Sequence, residues 1–194
     1  MISLDDGRIL VKLARDSIAS YFSGKFLNKH EFDKFTEKQG VFVTLTKYGK
    51  LRGCIGYPEP VYDLQRGIIQ AARAAAFQDP RFPPVAEIEF EDIQVEVSVL
   101  TKPKLIEVDE PEEYLDKIKI GKHGLIIRKR GFSGLLLPQV FIDYESTPKE
   151  ALEMTCEKAG LRKDDWKEKD SKIYSFSAQI FEELEPNGDV VEKK

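Results

Sequence analysis

The sequence predicts an α+β fold in which antiparallel sheet is flanked by helices, and three observations lead there. Two turns, Tyr48-Gly49-Lys50 and the basic Arg128-Lys129-Arg130-Gly131, each separate a pair of apolar, β-rich runs, which is the mark of a hairpin. The run Asp92–Leu100, DIQVEVSVL, puts Ile93, Val95, Val97 and Val99 on one face and Gln94, Glu96 and Ser98 on the other, the period of a half-buried strand. Helical stretches fall between these runs without the regular strand-helix-strand alternation of a parallel sheet.

In chain order, Ser3 caps a helix to about Phe22, with Asp6 three residues on and a stripe of Ile9, Leu10, Leu13, Ser17, Ile18 and Tyr21. The first hairpin follows, and its second strand carries Cys54 near its end, before Pro58 and Pro60. A helix rich in alanine over Ala71–Ala76 stops at Asp79-Pro80, because the residue before a proline avoids the helical region. After the strand at 93–100, a short helix starts near Pro111 and leads into the second hairpin. Thr147-Pro148-Lys149-Glu150 is a capping box with proline at the first helical position, and Gly160 closes that helix. Ile173–Leu184 alternates as one last strand, and the acidic tail from Glu182 is expected to fray.

Length and composition fit one folded soluble domain or two small subdomains sharing a core: 194 residues, 41% hydrophobic and 33% charged, with no repeat and no linker of the kind that separates independent domains. The net charge of −4 gives no global attraction to nucleic acid or anionic membrane. No apolar run approaches the roughly 20 residues of a membrane span. The N-terminus lacks the basic start of a signal peptide, so a cytosolic setting is expected, in which Cys54 and Cys156 stay free thiols. Counting Cys54, Cys156, His30 and His123 as zinc ligands fails on spacing, and no metal is expected. There is no phosphate loop of the Walker or GxGxxG type, and no cofactor is assigned.

The unusual stretch is Leu51–Pro60, LRGCIGYPEP. Strand geometry puts Arg52 and Cys54 on one face, and a guanidinium beside a thiol lowers its pKa from about 8.5 to roughly 7 or below. Gly53 and Gly56 leave room for a ligand or another backbone. The opposing reading is a small buried hydrophobe in a tight junction. His123, flanked by Lys122 and Gly124, is either a reachable base or a loop histidine bonded to backbone. Arg81, in DPRFPP, either presents its guanidinium to an anion or pairs with Asp79. Between Lys117 and Ile142 stand six Lys or Arg and no acid, which is either a phosphate-docking patch with Phe132 for stacking or a solvated hairpin tip.

LRGCIG, followed by AAFQDPRFPPV, VSVLT, GKHGLII and LLPQV, resembles the AMMECR family over nearly the whole chain. The resemblance implies two unequal subdomains with a cleft between them, the larger built from both chain ends. It also implies association with Memo-like proteins and a radical S-adenosylmethionine protein, and no settled reaction. Its motif positions are Leu51, Arg52, Gly53, Cys54, Ile55 and Gly56; Asp79, Arg81, Phe82 and Pro83; and His123, Gly124, Pro138 and Gln139. Some relatives carry an acid at the Gln139 position, so here that carboxylate base is missing. The expected site therefore has Cys54 as reacting group, Arg52 steadying its thiolate, His123 moving a proton, and Arg81, Gly53, Gly56 and Gln139 contacting an anionic ligand. The alternative is a non-catalytic adaptor for a Memo-like protein, a radical enzyme or RNA.

Overall fold

The structure, a computed structural model, describes residues 1–25, 27 and 32–193; His30 lies outside the described residues. In chain order the elements are α1 (Leu4–Ser23), β1 (Gly40–Lys47), β2 (Lys50–Tyr57), α2 (Leu64–Phe77), α3 (Glu87–Phe90), β3 (Ile93–Leu100) and β4 (Lys104–Leu105). Then come α4 (Tyr114–Lys117) behind a 3₁₀ turn at Pro111–Glu113, β5 (Gly124–Lys129), β6 (Phe132–Leu136), α5 (Pro138–Asp143) and α6 (Pro148–Lys158). The last strands are β7 (Lys172–Phe176), β8 (Ala178–Glu183) and β9 (Val190–Lys193). The fold is α+β, as the alternation and the hairpins predict. The chain divides into two compact units, Met1–Leu100 with Gln179–Lys194, and Thr101–Ala178.

In the first unit the sheet order is β2-β1-β3-β8-β9, and β1 pairs antiparallel with both β2 and β3. Val41, Val43 and Leu45 on β1 and Ile93, Val95 and Val97 on β3 are fully buried on one face, in one cluster with Leu10, Leu13 and Ile18 of α1 and Ile68, Ala71 and Ala72 of α2. The other face carries Thr44, Thr46, Gln94 and Glu96, so the period-2 pattern decides which side takes the helices. Ser3 caps α1 by accepting from the Asp6 N–H at 3.1 Å, and Gly24 ends it in the left-handed region. Tyr21, read into the buried stripe, is exposed; its ring stacks on Phe77 with centroids 4.1 Å apart.

Two sequence readings fail at the C-terminal end. The single strand expected over 173–184 is two strands, β7 and β8, in different sheets. The break is at Ser177, whose N–H donates to Thr101 Oγ1 and whose carbonyl accepts from the Thr101 N–H. Alternation continues across that residue, so periodicity cannot show it. The tail does not fray either: β9 pairs antiparallel with β8, and Glu183 is buried against Arg15.

The second unit has sheet order β4-β7-β5-β6. Leu125 and Ile127 of β5 share a core with Phe141, Leu152, Cys156 and Trp166. Thr147 and Glu150 form the predicted capping box of α6, and Gly160 takes φ 73° behind it. Lys129 is held by Asp165 at 2.9 Å, a buried pair that Arg162 completes from outside.

Candidate functional site

The site begins with the hairpin. Tyr48 and Gly49 both adopt positive φ in its two-residue turn, and pairing then runs regularly from Lys47↔Lys50 to Thr46↔Leu51. The next pair is Leu45↔Gly53, so Arg52 is an extra residue, a β-bulge. Beyond it Thr44 pairs with Cys54. The bulge breaks the alternation on which a shared face for Arg52 and Cys54 rests.

Arg52 is accordingly occupied elsewhere. Its Nε and Nη2 donate to Glu89 of α3 at 2.9 and 3.0 Å, a bidentate pair. The expectation that Arg52 steadies the thiolate is corrected: the cation acting on Cys54 is Arg81. The free space expected beside the glycines is also occupied by the protein. A side chain at Gly53 would collide with the carbonyl of Ala75 in α2, and one at Gly56 with the Phe42 ring. Of the two uses the sequence allows, a ligand or another backbone, Gly53 serves the second, and Gly56 makes room for the Phe42 ring and the Val41 carbonyl.

β2 is an edge strand, whose outward N–H and C=O groups have no strand partner. At Cys54 a loop residue pair covers them. Asp79 Oδ2 accepts from the Cys54 N–H at 2.9 Å, and Arg81 Nη2 donates to the Cys54 carbonyl at 3.2 Å. Asp79 in turn takes Arg81 Nε at 2.9 Å, Nη2 at 2.7 Å and the Arg81 N–H at 3.1 Å. Both readings of Arg81 therefore meet in one residue: it pairs with Asp79, yet its side chain stays 53% exposed. Because Cys54 turns its backbone groups outward, Thr44 and Cys54 form a non-hydrogen-bonded pair, the kind in which side chains approach more closely. Thr44 Oγ1 lies 3.4 Å from Cys54 Sγ.

Cys54 is half-buried, neither sealed nor open. Burial raises its thiol pKa, Thr44 and Arg81 pull it down, and Glu96 and Asp79 push it up again, the net direction being upward. The thiol is protonated at neutral pH, opposite to the lowered pKa expected from the sequence. Cys156 is fully buried, and burial pushes it up to about 11.

The Arg81 hydrogen bonds, followed by those from the Cys54 and Arg81 N–H groups, hold the Asp79 carboxyl far below the usual carboxylate range against its burial. A carboxyl with a folded pKa below its unfolded value near 3.9 stabilises the fold above about pH 4, and that contribution is lost as pH falls further. Asp79→Asn is thus expected to cost about 2 kcal/mol at neutral pH and progressively less below pH 4. Urea unfolding at neutral and acid pH checks this; an equal loss at both would contradict it.

In the second unit, His123 precedes β5 and its Nδ1 accepts from the Lys119 N–H at 3.3 Å, which leaves the ring proton on Nε2. Burial first, then Lys122 and Lys119, lower its pKa, so at neutral pH it is an uncharged donor. Gln139 sits in the first turn of α5 with Oε1 buried and unpartnered. The basic run is partly neutralised: Lys117 pairs with Glu113, Lys129 with Asp165 and Arg130 with Asp170. A hollow of about 580 Å³ beside Tyr114 and Trp166 contains none of the motif residues. Among the described residues no cluster of His, Cys, Asp or Glu could hold a metal ion, and no helix is long and apolar enough to cross a membrane.

Sequence reading missed Thr44 as a site residue and saw Glu96 only as a polar-face residue of its strand. Their place beside Cys54 depends on the bulge.

The AMMECR1 family model matches residues 11–181. A protein of Methanopyrus kandleri is 50% identical, covering 99% of this chain and 95% of its own. One from Methanocaldococcus jannaschii is 49% identical over 100% of this chain and 98% of its own. The crystal structure of an uncharacterized protein from Pyrococcus horikoshii superposes with a TM-score of 0.88 at 48% identity, covering 96% of both chains.

Proposed function

The chain belongs to the AMMECR1 family, and from the geometry of its signature strand we propose that Cys54 is the reacting group of a thiol site for an anionic ligand, in a cytosolic protein. The observation that carries this is the Asp79–Arg81 clasp. It fixes the backbone of Cys54 on both sides and keeps a guanidinium, half exposed, beside the half-buried sulfur. A guanidinium already oriented by a carboxylate can receive a carboxylate or phosphate with little ordering cost.

In this reading the thiol rests protonated, which protects it from adventitious oxidation, and it ionises only when a base takes its proton. His123 and Gln139 are proposed as ligand contacts in their own unit, His123 donating from Nε2 and Gln139 offering an unpartnered carbonyl oxygen. The adaptor reading, with a Memo-like or radical S-adenosylmethionine partner, needs no sulfur chemistry.

Iodoacetamide separates the two. Cys54 is expected to label at least about tenfold faster than the sealed Cys156, and more slowly with millimolar inorganic phosphate than with chloride at equal ionic strength. Arg81→Gln is expected to remove the phosphate protection. Equal labelling of the two thiols would exclude the thiol site, and protection that survives Arg81→Gln would exclude Arg81 as the anion's contact.

A further inference from the structure

The polar face of the five-stranded sheet carries a row of three side chains, of which the reading above uses one. Cys54, Thr44 and Glu96 are cross-strand partners on β2, β1 and β3. Directly opposed residues on neighbouring strands share a face, so the three stand in line. Cys54 Sγ is 3.4 Å from Thr44 Oγ1, and Thr44 stands directly across from Glu96, whose carboxyl its hydroxyl helps to pull down. A threonine hydroxyl has one proton to give and lone pairs to receive another: here it donates to Sγ, and when it turns that proton toward the Glu96 carboxylate a lone pair is free to take the thiol's.

We infer that Glu96 is the proton acceptor for Cys54, reached through the Thr44 hydroxyl. The inference rests on the thiol reading and supplies its base. In the transfer the S–H bond breaks as Oγ1 takes that proton, while the Oγ1–H bond breaks as the carboxylate takes the other. The negative charge moves from Glu96 to sulfur, Thr44 ends with one proton as it began, and no oxidant or reductant takes part.

The surroundings of Glu96 favour acceptance. Its side chain is only 18% exposed, and burial raises its carboxyl above the ordinary range. Lys193 of β9, at 3.4 Å, acts against this, as does the Thr44 hydroxyl to a smaller degree, while Glu182 of β8 reinforces it. Facing the sulfur are Thr44, Arg81, Asp79 and Glu96 itself. A carboxylate raised toward neutrality is a better base than an exposed one.

The competing role for Glu96 is a fixed charge, and it has the opposite sign. A carboxylate beside a thiol disfavours the thiolate, so removing it as a mere charge would speed alkylation. The test is iodoacetamide alkylation of the full chain from about pH 6 to about pH 10, following the Cys54 peptide by mass spectrometry. Glu96→Gln is expected to slow Cys54 by about tenfold or more near neutrality, leaving a rate that simply tracks thiol ionisation. Thr44→Val is expected to do the same with the Glu96 charge still present, and Thr44→Ser to restore the rate. Should Thr44→Val not fold, Glu96→Gln and Thr44→Ser still read the path. A Glu96→Gln protein that alkylates as fast as the parent, or faster, overturns the relay and leaves the thiol reading standing. Parent Cys54 that labels no faster than Cys156 overturns both.

Discussion

Replacing Gly53 with alanine is expected to destabilise the protein by about 3 kcal/mol or more, through an added methyl with nowhere to go. The atom it would meet is the Ala75 carbonyl oxygen, part of the α2 backbone, which cannot rotate aside as a long side chain can. The strand or the helix must move, and both belong to the core that contains Val43, Leu45 and Ile68. Gly49 makes the comparison: it has open space around it and only a positive φ of 73° to defend. Gly49→Ala should therefore cost about 1 kcal/mol, the penalty of the left-handed region alone. Urea unfolding of the two variants side by side decides the matter. If Gly53→Ala is no worse than Gly49→Ala, close approach of α2 is not what the signature glycine provides.

The second large effect is expected at Glu183. Its carboxylate accepts from Arg15 Nε at 2.6 Å and Nη2 at 2.5 Å and from the Val95 N–H at 2.9 Å, and its side chain is 4% exposed. Arg15 Nη2 also donates to the Ile93 carbonyl, so one pair joins α1, the start of β3 and the end of β8. Glu183→Ala leaves a buried guanidinium and a strand N–H without their acceptor, which should cost about 3–5 kcal/mol. Changing both partners together, Arg15→Met with Glu183→Leu, is expected to recover most of that loss, because no charge is then stranded. Thermal unfolding of the single and double variants tests this, and a double variant as unstable as Glu183→Ala would disprove it.

Much of this architecture is legible from residue pattern. The face of β3 that takes the helices follows from Ile93, Val95 and Val97, the start of α6 from Thr147 and Glu150, and the start of α1 from Ser3 and Asp6. What could not be read is register beyond the first hairpin turn. Counting outward from Tyr48-Gly49 without interruption puts Thr44 opposite Gly53 and Cys54 opposite the buried Val43. The extra residue at Arg52 shifts the ladder by one, which turns Cys54 onto the polar face and Gly53 toward α2. A bulge leaves no mark in apolar periodicity, so the sequence assigns Arg52 to the sulfur when its partner is Glu89. The Asp79 clasp was out of reach for a related reason. It is a contact across 25 residues to an edge-strand backbone, and composition says nothing of where a loop carboxylate will land.

That the first unit is assembled from residues 1–100 and 179–193 has a bearing on synthesis. The segment Thr101–Ala178 is contiguous and can collapse as soon as it leaves the ribosome. The N-terminal hundred residues must wait. Until β8 arrives, the nascent chain holds β3 with an open, hydrogen-bonding edge and Arg15 with its acid 168 residues away. Completion of the first unit therefore waits for β8 and β9, and the interval before it is when a molecular chaperone has something to shield.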